Sequence, residues 1–398
     1  MATNTMLTPT AITREALMIL HQKLGFIGNI TRQYDDRFAR DGAKIGTTLQ
    51  IRKPVQFTVR SGSATYSAQN LTEEKVDLTV ATQSGVDFEF SSAELTMKLD
   101  DFSDRYLKPA MSVLAANIES TVITGCYKGV ANYVDGLGAG MTFNKVLTAG
   151  KVLTDNLTPY SSRKVLLDTQ SRVDLTDALK GLMNDQSAIS KQYREGQLGR
   201  IGGFDFYEST LMPRHTTGTA AATTGYLTND AVAQTGSTLT VDTGTTTFLV
   251  GDIITIDGVY DVHPETKATL STLKRFVVTA NSGSSATSLS ISPAIVASGA
   301  RQNVSNAAAN DKAITKYTGA SDVHDQSLAF HPEAFAFASA DLQMPKGTDM
   351  ASRQVMDGLS LRFVRDYDVS DDQFKSRFDI YYGYAILRPE LACRICVN

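Results

Sequence analysis

The chain has no tryptophan and only 3 cysteines and 10 prolines among its 398 residues. Three cysteines cannot build a disulfide framework, so the chain reads as one made and kept in a reducing cytosol. The missing tryptophan weakens a sugar-acting enzyme, whose substrates stack on aromatic rings. No apolar run approaches the roughly 18 residues that cross a bilayer, so no membrane partner is expected. Met1 to Thr10 lacks a basic start followed by a greasy stretch, and no signal peptide is expected. A dominant charge is lacking as well, with 38 Lys plus Arg against 42 Asp plus Glu and a formal charge of -4. That balance argues against a protein whose main work is gripping phosphates. What is present is 42% hydrophobic and 20% charged residues, enough for a sizeable core and incompatible with wholesale disorder. The length suggests about two to three domains.

The charge is unevenly placed. Residues 1–60 carry nine basic and four acidic side chains on an otherwise acidic chain. Arg32, Arg37 and Arg40 cluster there, followed by Arg52 and Lys53. A basic arm on an acidic body can dock an acidic partner, but a solvated helix face and a solvated hairpin are the better explanation of so modest an excess.

Apolar spacing predicts a helix over Thr8 to Leu24, capped by Thr10 or Thr13, with Ile12, Ala16, Ile19, Leu20 and Leu24 on one face. Thr48 to Val59 and Lys75 to Phe90 alternate and predict a long two-stranded hairpin, with Pro54 at an edge. Such a hairpin is marginal alone and needs a neighbour to lie on. Phe102 to Val130 is the longest helical signal, with Ser103 as its cap and a break near Tyr127 to Gly129. Helices over Phe143 to Leu157 and Gln170 to Met183, with a strand over Lys164 to Leu167, predict an α+β body. From Thr216 the composition shifts to Thr, Gly, Ala and Ser. Strands are expected at Thr238–Val241, Ile253–Ile256, Arg275–Thr279 and Ser288–Ile291. Turns fall at Gly251-Asp252, Asp257-Gly258 and Asn281-Ser282-Gly283. That pattern predicts a small all-β barrel or sandwich set into the body. A helical piece over Pro332 to Ala340 and strands over Leu359–Asp366, Phe378–Leu387 and Glu390–Val397 close the chain.

Catalytic patterns are missing. There is no phosphate loop, no HExxH and no GxSxG. Gly136, Gly138 and Gly140 form a GxGxG run that does not clearly follow a strand or open a helix, so it reads as a loop. His21, His215, His263, His324 and His331 are scattered. Cys393 and Cys396 form a CxxC, but on a strand residues three apart face opposite ways, so the pair reads as inert. The adjacent acids Asp35-Asp36, Asp100-Asp101 and Asp371-Asp372 do not straddle a cleft and read as caps or solvated turns. No cofactor or metal is expected.

The ordered parts, and several stretches, resemble the major capsid proteins of tailed bacteriophages, in particular the short-tailed, P-twenty-two-like branch with an inserted β-barrel. The stretches are GQLGRIGGFDFYESTLMP at 196–213, VGDIITIDGVYDVHPETKATLSTLKRFVV at 250–278 and LSISPAIV at 289–296. AFHPEAFAFASADLQMP at 329–345 and RFDIYYGYAILRPELACRI at 377–395 complete them. The resemblance implies an α+β capsid fold of the Hong Kong type. Its parts would be an N-terminal arm (1–44), an extended loop (45–91), a peripheral domain with a spine helix (92–140), an axial domain (141–222), an inserted β-barrel (223–318) and a return with closing strands (319–398). It implies a structural, non-enzymatic protein. Copies would assemble as pentamers and hexamers into an icosahedral shell, guided by a scaffolding protein and started at a portal. The shell would be built in the host cytoplasm and would hold double-stranded DNA non-specifically. Arg32, Arg37, Arg40, Arg52 and Lys53 are then candidate assembly contacts. The stretch Asp257 to Lys267, with Asp261, is a candidate lattice contact of the insertion, whose plainer role is a folding module. Rival readings are another virion part (tail tube or decoration protein), a glycan-acting enzyme, or an adhesin.

Overall fold

The structure is a computed structural model and describes residues 8–33, 48–59, 73–91, 103–179, 200–230, 232–370 and 373–397. The chain divides into two compact units.

The first unit takes residues 1–51, 75–122 and 335–387. Helix α1 (Pro9–Lys23) starts one step before the expected caps. The Thr8 hydroxyl accepts from the Ala11 amide, and Pro9, with its fixed φ, takes the first helical position. Thr13 is left to donate from its hydroxyl to the Pro9 carbonyl. Its buried face carries Ile12, Ala16, Leu17, Ile19 and Leu20. Helix α2 (Lys108–Lys128) follows a wide π-type turn at Ser103–Leu107. Pro109 explains the wide turn: it brings no amide and its ring crowds the carbonyl one turn back, so the ladder opens there. Ser103 does not cap α2; its hydroxyl reaches Glu15 at 3.3 Å. The helix passes from the first unit into the second at residue 122.

A six-stranded sheet forms the rest of this unit. Its order is Thr31–Gln33, Phe335–Ala340, Gln373–Ile386, Leu359–Asp368 and Met350–Met356, with Thr82–Ser91 also on Gln373–Ile386. Two expectations are corrected here. The hairpin splits: Thr48–Arg52 pairs only with Lys75–Thr79, and Thr82–Ser91 leaves to join the sheet. The first strand stops at Arg52, ahead of Pro54. The base of the hairpin lies on its own sheet, where Leu78 and Val80 cluster with Ala336, Ala338 and Tyr381. Residues 60–72, the rest of the expected hairpin, lie outside the described residues. The expected helix over Pro332–Ala340 is a single turn at Pro332–Ala334 followed by the strand Phe335–Ala340. The alternation of Phe335, Phe337 and Ser339 with alanines suits a strand buried on both faces, and the sheet wins.

The second unit takes residues 52–74, 123–334 and 388–398. It holds a seven-stranded mixed sheet in the order Tyr133–Gly136, Ala392–Val397, Val323–Phe330, Arg163–Leu167, Phe204–Glu208 and Arg200–Ile201, with His215–Thr216 beside Val323–Phe330. Helices α3 (Phe143–Asp155) and α4 (Thr169–Leu179) cover one face through Val146, Ala149, Leu153 and Leu175. The last expected turn of α4, residues 180–183, lies outside the described residues. The final strand begins at Ala392, after a short turn at Pro389–Leu391, and so is two residues shorter than expected. Cys393 packs into the core with Ile395 and Val397, and Cys396 meets Gln326, as opposite strand faces require.

The barrel is closed. Its strands run Thr223–Thr228, Gly236–Asp242, Ser288–Ile295, Thr269–Val278, Ile253–Val262 and Ala313–Lys316, and the last pairs with the first. Leu239, Val241, Ile254, Ile256, Phe276 and Ile291 fill it with Tyr226 and Phe248. The first and last barrel strands carry too few apolar residues to stand out in the sequence. Asp257-Gly258 is no turn: the strand continues to Val262, the register against Thr269–Val278 shifts between Thr255 and Tyr260, and Gly258 takes φ +77°. That is a β-bulge, with glycine in the left-handed region.

Candidate functional site

The barrel hangs from the sheet by a neck of two strands. His215–Thr216 enters the barrel and Val323–Phe330 leaves it, and they pair antiparallel with His215 opposite His324 and Thr216 opposite Val323. One step further, the Thr217 amide donates to the Asp322 carbonyl at 2.9 Å and the Asp322 amide donates to the Thr217 hydroxyl at 3.0 Å. The two imidazoles meet edge to face with centroids 5.5 Å apart. Both residues are buried.

Asp252, read in the sequence as a turn residue, is also buried and is the barrel's side of this neck. Its Oδ2 accepts from the Gly218 and Leu249 amides at 3.0 Å each. Its Oδ1 lies 3.3 Å from His215 Nε2. A carboxylate accepts only, so Nε2 carries the proton and donates. Nδ1 of the neutral ring therefore accepts the Tyr127 hydroxyl at 3.2 Å. Burial raises the Asp252 carboxyl, but the His215 bond and the two amides outweigh it and the net shift is downward. Burial lowers His215 below its ordinary value, more strongly than the Asp252 hydrogen bond raises it.

Arg394, on the final strand, lies behind the histidines. Its Nη2 donates to the Gly251 carbonyl at 2.8 Å, and its guanidinium lies 5.9 Å from the Tyr127 ring centre. Gly251 has φ +101°, and a Cβ there would sit 2.8 Å from His215 Cε1, so the turn needs glycine for its backbone and for the ring beside it. Lys316 Nζ donates to the Gly218 and Gly319 carbonyls at 2.9 Å each.

A second clasp lies along the same junction. Arg275 Nη1 donates to the Tyr133 carbonyl at 2.8 Å and its guanidinium covers the Tyr133 ring at 4.5 Å. The Tyr133 and Tyr317 rings are 3.9 Å apart, and the Tyr317 hydroxyl donates to Asp135 at 2.8 Å. Beside them is a cavity of about 340 Å³ lined by Asp135, Thr255, Thr315, Lys316 and Thr318.

The residues that sequence reasoning offered as contacts are not gathered into one site. Arg32 pairs within its own chain, 2.8 Å from Asp357 and 3.2 Å from His21 Nε2. Arg37 and Arg40 lie outside the described residues. Arg52 meets Glu73 at 3.1 Å and Lys53 meets Glu74 at 3.6 Å. Asp257 faces Lys312 at 3.5 Å and Asp261 faces Lys274 at 2.9 Å. Lys267 donates to the Pro264 and Gln302 carbonyls at 2.6 and 3.2 Å. Among them Asp257 is the exposed acid, with 64% of its side chain accessible. The neck residues were missed because His215, Asp252, His324 and Arg394 are far apart in sequence; only their burial and register bring them together.

The GxGxG run is corrected in its context. It does follow a strand, Tyr133–Gly136, and it precedes α3, capped by Thr142. Its polarity is nevertheless wrong for phosphate. The Gly136, Ala139 and Gly140 carbonyls converge on Lys145 Nζ at 3.0, 2.8 and 2.7 Å, whereas a phosphate cradle presents amides. Among the described residues no group of three or more His, Cys, Asp or Glu is placed to hold a metal ion.

The family model described as P22 coat protein, gene protein 5, matches residues 1–394. No curated protein matches the chain. Solved structures resemble it at low identity. One from Mycobacterium phage Che8 is 14% identical with a TM-score of 0.45, over 88% of this chain and 84% of that one. The capsid of cyanophage P-SCSP1u is 10% identical with a TM-score of 0.45, over 93% and 86%. The mature capsid of bacteriophage PhiM1 is 10% identical with a TM-score of 0.44, over 94% and 87%.

Proposed function

Since the chain belongs to the P22 coat protein family and is a phage major capsid protein, part of the virion's shell, we propose that its copies close into pentamers and hexamers of an icosahedral head around double-stranded DNA. The observation that carries this is the family match across residues 1–394. A scaffolding protein guides closure in the host cytoplasm, a portal starts it, and the role is structural rather than catalytic. The formal charge of -4 supports a wall that does not hold duplex DNA tightly, because phosphate contacts would oppose packaging and ejection.

On this reading residues 1–44 are the arm, 45–91 the extended loop, 92–140 the peripheral part with its spine helix, 141–222 and 319–398 the axial part and its return, and 223–318 the insertion. The closed barrel over Thr223–Lys316 supports the last of these. Arg32, Arg37, Arg40, Arg52 and Lys53 contact scaffold or neighbouring coats, and Asp257, Asp261 and Lys267 contact a neighbouring subunit. Arg37 and Arg40 are the better pair to reverse, because reversing Arg32 also breaks its bond to Asp357.

The test is negative-stain electron microscopy with sedimentation velocity on the full chain, alone and co-expressed with its neighbouring genes. Closed shells, or rings of five or six, support the reading. A chain that stays monomeric in both settings overturns it. Deleting residues 223–318 separates the insertion's roles: irregular shells from a well-folded remainder mark a lattice contact, and a misfolded remainder marks a folding module.

A further inference from the structure

The chemistry of the neck is unusual for a purely structural joint. Both chain crossings into the barrel pass through one antiparallel pair, with a histidine on each strand at the same register position. Neither imidazole reaches solvent to any extent; His215 is 3% and His324 2% exposed. His324 Nδ1 and Arg394 Nε are buried with no hydrogen-bond partner among the described residues.

We propose that this histidine pair is an acid-operated latch: neutral imidazoles hold the barrel to the sheet, and protonation releases it at the neck while the barrel interior stays folded.

The hydrogen bonds give the mechanism. Neutral His215 donates through Nε2 to Asp252 and accepts through Nδ1 from Tyr127. The protonated ring is a donor at both nitrogens, so the Tyr127 hydroxyl, facing Nδ1, can no longer donate to it and has to turn its own proton away and accept instead. The charges around the pair tell against a second proton as well. From the final strand Arg394 faces both rings, and from the end of α2 Lys128 faces His215. From the barrel Lys316 lies beside Asp252, which is already committed to two amides. Asp322, just before the outgoing strand, is the other acid that His324 meets. Tyr317 contributes a ring edge 6.5 Å from His324 and Cys396 a thiol that burial keeps neutral. The result is three cations facing two acids; of these Arg394, Lys316 and Asp252 are buried, two cations to one acid, and each proton added makes that excess worse.

The direction follows from linkage. Burial, the other histidine and Arg394 hold His324 down at about 4, against an ordinary value of 6.5. Opening the neck restores the ordinary value, so the open form binds the proton first as the pH falls. Between those two values the opening constant rises, and for this one group the full rise is about 300-fold. His215 adds to it in the same direction.

Hydrogen exchange on the full-length chain reads this directly. Protection factors, corrected for intrinsic exchange, are measured at Thr217, Asp322 and His324 in the neck and at Ile254 and Val277 in the barrel, at pH 7 and near pH 4. The expected result is a fall of about 100-fold or more at the neck with no matching fall in the barrel. In His324→Gln the fall shrinks to the part owed to His215. Neck and barrel amides falling together, or an equal fall in His324→Gln, overturn the proposal. Should that variant fail to fold, imidazole NMR on the unaltered chain decides. A His324 ring that titrates near its ordinary value without change at the neck rejects the latch. One that titrates near 4, in step with neck opening, supports it.

Discussion

Gly85 stands opposite Asp379 in the ladder between Thr82–Ser91 and Gln373–Ile386, and the aspartate uses the space that glycine leaves. A Cβ on Gly85 would lie 2.5 Å from the Phe378 carbonyl oxygen and 2.7 Å from Asp379 Oδ1. The Asp379 side chain is fully buried and is held by Arg362 at 2.6 Å, Arg377 at 2.9 Å and the Gln83 amide at 3.1 Å. Backbone and a locked carboxylate cannot both step aside. Gly85→Ala is therefore expected to cost about 1–3 kcal/mol, read as a lower denaturant midpoint at unchanged slope. A neutral result would show that the ladder yields at this point.

Lys145 gathers three carbonyls of the Gly136–Gly140 loop, and half-burial lowers its pKa below the ordinary lysine value. Lys145→Met keeps the stem and removes the donors. A loss of about 1–2 kcal/mol is expected, because water reaches part of the loop and replaces part of the bonding. Thermal unfolding checks it, and no loss at all would mean the loop holds its shape by its own turn bonds.

Much of the fold was legible where one period dominates a long stretch. Helix α1, the strands after Leu359 and the compositional switch near Thr216 all stood out in the sequence. The errors have local causes. Pro332–Ala340 reads as helix-compatible because alanines fit either state, and only pairing with Gln373–Ile386 on one side and Thr31–Gln33 on the other decides for the strand. Asp257-Gly258 has the chemistry of a turn and the structure uses it as a bulge, since glycine serves both. The neck was invisible because a histidine opposite a histidine is a property of register. His215 and His324 are separated by the whole barrel, and no spacing rule joins them.

Glu119, on α2, is buried 5% exposed and accepts from the Gly25 and Phe26 amides just after α1. Burial raises its pKa above the model-peptide value of 4.5, and the two amides lower it less than burial raises it. The folded state thus holds this proton more tightly than the unfolded state does. Its contribution to stability is largest below about 4.5 and declines as the pH rises through the folded value. Glu119→Gln keeps an acceptor and removes the titration. The stability difference between the unaltered chain and this variant should move in the variant's favour as the pH rises, measured by urea unfolding at several pH values. A difference that stays flat would mean that the amide bonds balance the desolvation cost.

Cys126, Cys393 and Cys396 are free and buried, and burial raises all three thiols, Cys393 up to about 12. The thiolate is the reactive form, so none should react in the folded chain near pH 8. Labelling with a thiol reagent is expected to be negligible until denaturant is added, and then to reach all three together. Early labelling of Cys396 alone would show that the final strand frays from the sheet before the unit unfolds.

Tyr133 is clasped from two sides. Arg275 grips its carbonyl and covers its ring, and Tyr317 stacks on that ring while donating to Asp135. Tyr317→Phe removes only the hydroxyl, leaving Asp135 with the Leu137 amide, and is expected to cost about 1 kcal/mol. Arg275→Met removes a charged donor and a cation over an aromatic face, for about 2 kcal/mol. The two act on one ring, so their effects should not add. With Arg275 gone the Tyr133 ring is free to shift, and the Tyr317 hydroxyl then loses part of its alignment with Asp135. The double variant should therefore lose less than the two singles together, by about 0.5 kcal/mol or more, as neighbours in one network do. Strict additivity in the unfolding cycle would mean that the two contacts fasten the barrel independently. Arg275 would then be a separate tether rather than one side of a clasp.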